Sequence, residues 1–243
     1  MIRHAGWLSG VCLLLGACTV TRPAPSASAA EVAGVYLGKG VEYMARGNYP
    51  VARQDLHKAL ALDPGNSAVH NALAVLAERL EQPDEAIRHF EAALKLDPDN
   101  LAARNNYARY LCRHGQPREA LVQFRQVTDS RLYAQPQIAL TNAGLCAESS
   151  GDAALAEQYL REALTRQVDF APALLALARI SQARGRSLPA RGFLERYLEV
   201  TEPDAGALQL GIAIERSLGN DAAVEDYARR LAAGRFGDPV VQP

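Results

Sequence analysis

Residues 67–100 read SAVHNALAVLAERLEQPDEAIRHFEAALKLDPDN, and the architecture of the whole chain can be worked out from their spacing. Val69, Leu73, Leu76 and Leu80 fall at helical intervals over Ala68 to Leu80. Glu81-Gln82-Pro83-Asp84 interrupts that helix, and Pro83 suits the first position of another. Over Glu85 to Leu96, Ala86, Phe90, Ala93 and Leu94 share one face. Asp97-Pro98-Asp99-Asn100 closes the unit. The stretch predicts one helix–turn–helix unit over 67–100, and no segment shows the two-residue alternation of a half-buried strand.

The same unit recurs on both sides. Ala52, Ala86 and Ala120 stand at a constant interval of 34, as do Leu56, Phe90 and Phe124, and Gly151, Gly185 and Gly219. Turn positions at Gly47, Glu81, Gly115, Gly151, Gly185 and Gly219 mark six repeats. Glycine fits there because a tight helix–helix turn needs positive φ. Four of the five intervals are 34 and the one from Gly115 to Gly151 is 36. The two extra residues are assigned to Asp129 to Pro136, which predicts a protruding loop between repeats three and four. Val224 and Ala228 stand where Ala and Phe are expected, so the sixth repeat reads as a cap. Small–large–small triplets such as Ala52, Leu56, Ala59 and Ala156, Leu160, Ala163 let paired helices interlock without a void.

Gly40, Tyr43, Gly47, Ala52, Ala59 and Pro64 follow in an order that resembles the tetratricopeptide repeat. The resemblance implies an all-α, right-handed superhelical solenoid of six such repeats, with a groove lined by the first helices as its binding surface. The candidate groove residues are Leu37, Val41 and Met44, with Gly34 at the entrance, then Asn71, Val75 and Glu78, then Asn105, Arg109 and Cys112. The groove is thus apolar at its N-terminal end and polar beyond, which suits an amphipathic helix or extended segment of a partner. The alternative is that the tether, or the segment around Val32 and Val35, folds back over this stripe. Asn71 and Asn105, one repeat interval apart, either hold a peptide backbone or are satisfied by neighbouring repeats.

The first thirty residues read differently. Met1 to His4 is a short basic start, and Ala5 to Leu15 is an apolar run too short to span a bilayer but suited to a signal-peptide core. Leu15-Gly16-Ala17-Cys18 resembles the lipobox of bacterial lipoproteins, which implies cleavage before Cys18 and acylation of that cysteine. The alternative is ordinary secretion of a soluble product. With Thr19 rather than Asp after the cysteine, the expected location is the periplasmic face of the outer membrane. Thr19 to Ala30 is rich in Pro, Ala and Ser and reads as a tether. The expected organisation is a signal peptide over 1–17, acylated Cys18 and tether over 18–30, the repeat domain over 31–238 and a tail over 239–243.

Cys112 and Cys146 both fall late on the first helices of consecutive repeats, so a disulfide is geometrically plausible in an oxidising compartment. Two buried free thiols are the alternative. The 26 basic residues, less Arg3 in the signal, nearly balance 27 acidic ones. With no basic stripe or base-stacking aromatics, nucleic acid is not an expected partner. His57 and His89 sit among charged neighbours as on solvated faces, and no metal-binding, nucleophile-elbow or phosphate-cradling pattern occurs. No catalytic residue, metal, cofactor or small-molecule substrate is therefore expected.

Two stretches are more specific than the repeat. Asn105-Asn106-Tyr107-Ala108-Arg109-Tyr110-Leu111-Cys112-Arg113-His114-Gly115 and Thr141-Asn142-Ala143-Gly144-Leu145-Cys146-Ala147 resemble signature segments of the type IV pilus biogenesis lipoproteins. These form the PilF/PilW family, also described as pilotins. The resemblance extends over signal, lipobox, tether, repeats and both cysteines. It implies a non-enzymatic protein that binds type IV pilus secretin subunits and promotes their outer-membrane localisation and multimerisation. A tetratricopeptide lipoprotein that scaffolds peptidoglycan synthases or hydrolases is the second class this sequence fits.

Overall fold

The structure, a computed structural model, describes residues 27–234. The expected signal peptide, Cys18, most of the tether and the tail over 239–243 lie outside the described residues. Twelve helices and no strand occur among the described residues: α1 (Ala27–Ala45), α2 (Tyr49–Leu62), α3 (Ser67–Arg79), α4 (Pro83–Leu96), α5 (Leu101–Arg113), α6 (Pro117–Thr128), α7 (Pro136–Ser149), α8 (Ala153–Arg166), α9 (Ala171–Ala183), α10 (Ser187–Val200), α11 (Ala205–Ser217) and α12 (Asp221–Ala232). They pair as six helical hairpins in the order read from the sequence. α1 begins at Ala27, so residues 27–30 are helical rather than part of the tether. None of these helices is long and apolar enough to cross a membrane.

Each hairpin closes in the same way. The N–H of Asn48 donates to the Tyr43 carbonyl, and the bond recurs from Gln82 to Ala77, Gln116 to Leu111, Asp152 to Ala147, Arg186 to Ser181 and Asn220 to Glu215. This six-to-one bond satisfies a carbonyl at the end of the first helix and requires a left-handed residue just before the donor. Gly47, Gly115, Gly151, Gly185 and Gly219 fill that place at φ between 69° and 89°, and Glu81 fills it at 56°.

Within a hairpin the small residues set how near the helices come. Ala52, Ala59, Ala86, Ala93, Ala156 and Ala163 are fully buried, and Leu56, Phe90, Phe124 and Leu160 fill the space between helices. Gly40 and Gly144 are forced by this packing, because a Cβ there would stand 2.6 Å from Leu56 Cγ and 2.7 Å from Leu160 Cγ. The α6–α7 connection carries the inserted residues and projects Leu132, which is 87% exposed. At the C-terminal end α12 has no buried residue, which suits the cap read from Val224 and Ala228.

The first helices touch one another in succession, α1 with α3, α3 with α5, α5 with α7, α7 with α9 and α9 with α11. Among the described residues no two second helices bring their backbones that close, and they meet only through side chains such as Arg161 over Phe193. A stack that is close on one side and open on the other bends toward the close side, so the first helices line the inner surface of a curved array.

Candidate functional site

The inner surface begins on α1. Val41 is 44% exposed there, whereas Leu37 and Met44 are half-buried against the cluster of Leu56, Val69 and Leu73. Of the three expected apolar groove residues, Val41 is thus the one fully open to a partner. Gly34 and Gly38 lie on exposed turns of the same helix, with nothing within 4 Å of where a Cβ would stand. Their lack of a side chain is not required by packing among the described residues. Val32 and Val35 are exposed residues of the same continuous helix, so that segment does not fold over the stripe.

Of the two readings open for Asn71 and Asn105, the contacts match the second, since both are engaged by the next repeat. Asn106 Nδ2 donates to Asn71 Oδ1 at 3.1 Å, and Asn142 Nδ2 donates to Asn105 Oδ1 at 3.2 Å. Asn105 is only 3% exposed, so it holds α5 to α7 and is not a groove-lining contact. Asn71 and Val75 are half-buried on α3. A buried amide of this kind stays paired because an unmet polar group there is costly.

Beyond Val75 the surface becomes basic. Arg79, Arg109 and Arg113 line a cavity of about 450 Å³ together with Asn142, Leu145, Ser149 and the two cysteines. Cys112 and Cys146 are joined there, with sulfurs 2.05 Å apart and Cα atoms 5.8 Å apart, tying α5 to α7. Glu78 is the nearby acid: its carboxylate is 3.1 Å from Arg113 Nη1 and 3.9 Å from Arg109 Nη2. Burial pushes the Arg109 pKa down, against the pull of Glu78. Burial pushes the half-buried Tyr133 phenol of the inserted loop up, with the Arg109 charge acting against it.

Other charged groups are structural. Hydrogen bonding from Arg186, and secondarily from Arg161, holds the Glu157 carboxyl down to about 2. With Arg184 these residues bridge α8 to the α9–α10 turn, which accounts for the arginines flanking Gly185. Arg191 and Asn220 both donate to the buried Glu215, securing the cap. His89 differs from the solvated histidine expected: its Nδ1 lies 3.0 Å from His70 Nδ1, and His70 Nε2 is 3.2 Å from the Pro64 carbonyl. Among the described residues no three His, Cys, Asp or Glu side chains are grouped to hold a metal ion.

The basic cavity escaped the reading of the sequence, although its signal was present. Val41 and Val75 stand one repeat interval apart, Arg109 follows at the same interval and Leu145 two positions beyond the next. One arginine thus interrupts an apolar row. Arg79 and Arg113 also recur at one repeat position.

Comparison with known proteins agrees with this architecture. A tetratricopeptide repeat model matches residues 37–100 and 106–173, more than half the chain, and a second one matches 79–132. The type IV pilus assembly protein PilF of Pseudomonas aeruginosa is 26% identical over 201 residues, covering 83% of this chain and 80% of that protein. The crystal structure of PilW, described as a widely conserved type IV pilus biogenesis factor, superposes with a TM-score of 0.77 at 32% identity. That match covers 84% of this chain and 94% of PilW. The Pseudomonas aeruginosa PilF structure matches with the same TM-score over 86% and 95% of the two chains.

Proposed function

We propose, for a chain that belongs to the tetratricopeptide repeat family and within it to the type IV pilus biogenesis proteins PilF and PilW, a role as the outer-membrane escort of the pilus secretin. It binds secretin subunits through the N-terminal part of its inner surface and promotes their localisation and multimerisation in the outer membrane. Acyl chains on Cys18 fix it to the periplasmic face of that membrane. Holding the partner and the membrane anchor on one chain raises the local concentration of subunits where they assemble. The protein acts by binding and carries out no chemistry of its own.

The observation that carries this reading is the match to PilW over nearly its whole length. The surface of α1 supports it: Val41 is exposed, and Gly34 and Gly38 leave room for a partner backbone to approach.

The test is the amount of heat-resistant secretin multimer in outer-membrane fractions. Cells with the gene intact, deleted, or carrying Cys18→Ala or Val41→Glu are compared. Multimers are expected to fall on deletion and in Val41→Glu, and to be mislocalised in Cys18→Ala. Val41→Glu is expected to leave helical content unchanged, since the side chain is exposed. Normal multimers in all four strains would overturn the escort reading.

A further inference from the structure

We infer that His70 and His89 form a binding site for a divalent transition-metal ion that takes imidazole ligands, with zinc as the representative ion. The site lies on the hairpin of α3 and α4, and binding there does not depend on which partner the inner surface takes.

The hairpin brings the two rings together. His70 stands in the opening turn of α3, four residues after the capping Asn66, and His89 lies midway along α4. Ser67 Oγ donates to the Ala93 carbonyl at 2.9 Å, which holds the start of α3 against the end of α4. The ring centroids are 5.1 Å apart and the two Nδ1 atoms 3.0 Å apart.

The proton positions follow from the partners. A carbonyl oxygen only accepts, so at 3.2 Å from the Pro64 carbonyl the His70 Nε2 is the donor. A neutral His70 therefore turns a bare Nδ1 lone pair toward His89. A metal-binding imidazole ordinarily has such a backbone partner on its other nitrogen, because the bond fixes both tautomer and ring orientation. His89 closes the contact by donating from Nδ1. Its proton can instead occupy Nε2, reached through water with no net release. Two lone pairs then face one another and repel, and a cation between them removes the repulsion.

The spacing suits such an ion. Nitrogens bound to one tetrahedral zinc at about 2.0–2.1 Å stand about 3.3 Å apart, so a pair at 3.0 Å needs only a small opening. Both rings are half-buried, which leaves the ion a path from solvent. Glu85, four residues before His89, adds a negative charge on the same face of α4. No third His, Cys, Asp or Glu completes a ligand set among the described residues, so water fills the remaining positions. Two imidazoles favour zinc, copper or nickel over magnesium and calcium, which take oxygen ligands.

The experiment titrates zinc chloride into the full chain in detergent, free of any polyhistidine tag, by isothermal calorimetry. One ion per chain is expected, with no binding of magnesium. His70→Gln and His89→Gln are each expected to weaken zinc binding at least about tenfold, the lower bound for losing even an outer partner of a ligand. Circular dichroism checks that both variants keep their helices. His114→Gln, whose ring lies on Tyr110 instead, is expected to bind as the native protein does. X-ray absorption at the zinc edge is expected to show two imidazoles on the ion, the rest of its ligands being oxygen. Should a histidine variant fail to fold, that spectrum of the native protein decides the matter. No saturable binding, an affinity unchanged in either histidine variant, an equal loss in His114→Gln, or fewer than two imidazoles on the zinc would overturn the proposal.

Discussion

Glu81 holds a left-handed backbone at the turn where five other repeats place glycine. A residue with a Cβ pays about 1–2 kcal/mol for that conformation, and the exposed Glu81 side chain forms no hydrogen bond among the described residues that offsets it. Glu81→Gly is therefore expected to stabilise the protein by about 1 kcal/mol in a denaturant titration, where most glycine substitutions destabilise. An unchanged or lower midpoint would show that the turn gains something from Glu81 that the backbone does not reveal. At His89 the strain is electrostatic. Burial lowers its pKa from the usual 6.5, and the charge of His70 acts in the same direction. The folded protein thus binds fewer protons here than the unfolded chain as pH falls below about 6.5. The stability from this group is complete above that pH and is lost as pH drops toward the folded-state value. Thermal unfolding followed from about pH 7.5 to about pH 5 is expected to show a steeper loss in the native protein than in His89→Gln. Parallel curves would mean that the His89 imidazole titrates without regard to folding.

At the scale of one helix, α1 carries two glycines that internal packing does not require. Glycine inside a helix costs about 0.5–1 kcal/mol relative to alanine, and a methyl at 34 or 38 meets no atom within 4 Å. Gly34→Ala and Gly38→Ala are each expected to raise stability by about that amount while weakening secretin capture. That opposite sign distinguishes a surface shaped for a partner from one that is merely loose. Gains in stability with unaltered capture would move the contact elsewhere on the array. The helices themselves were legible in the sequence because a fixed period records which residues of each unit face its own partner helix. The Ala52, Ala86 and Ala156 series, and the turn glycines, were readable for that reason. What joins one repeat to the next was harder to read. Asn106 reaches Asn71 across 35 residues and Asn142 reaches Asn105 across 37, so these contacts run off the period. The same limit hid the His70–His89 contact, which joins two helices of one hairpin through side chains the apolar pattern leaves out. It also hid the arginine cavity, which needs three successive first helices side by side before it exists.

Across the whole molecule each repeat touches only its neighbours, so stability is distributed along the array rather than held in one core. α12, with no buried residue, is the end that opens most easily. The inserted α6–α7 loop marks the junction between repeats three and four. The Cys112–Cys146 bond lies across this junction and closes a loop with a sequence separation of 34. By the chain-entropy argument it contributes about 3–4 kcal/mol, and in a one-dimensional array most of that is felt locally. The variant with Cys112→Ser and Cys146→Ser is therefore expected to lose amide protection in α5 to α7 when hydrogen exchange is followed by mass spectrometry. α1, α2 and α10 are expected to keep theirs. The two halves are also expected to separate into distinct steps in denaturant, as they do when coupling between neighbouring repeats weakens. A uniform rise in exchange along all twelve helices would instead mean that the array opens as one unit and that the bond stabilises it as a whole.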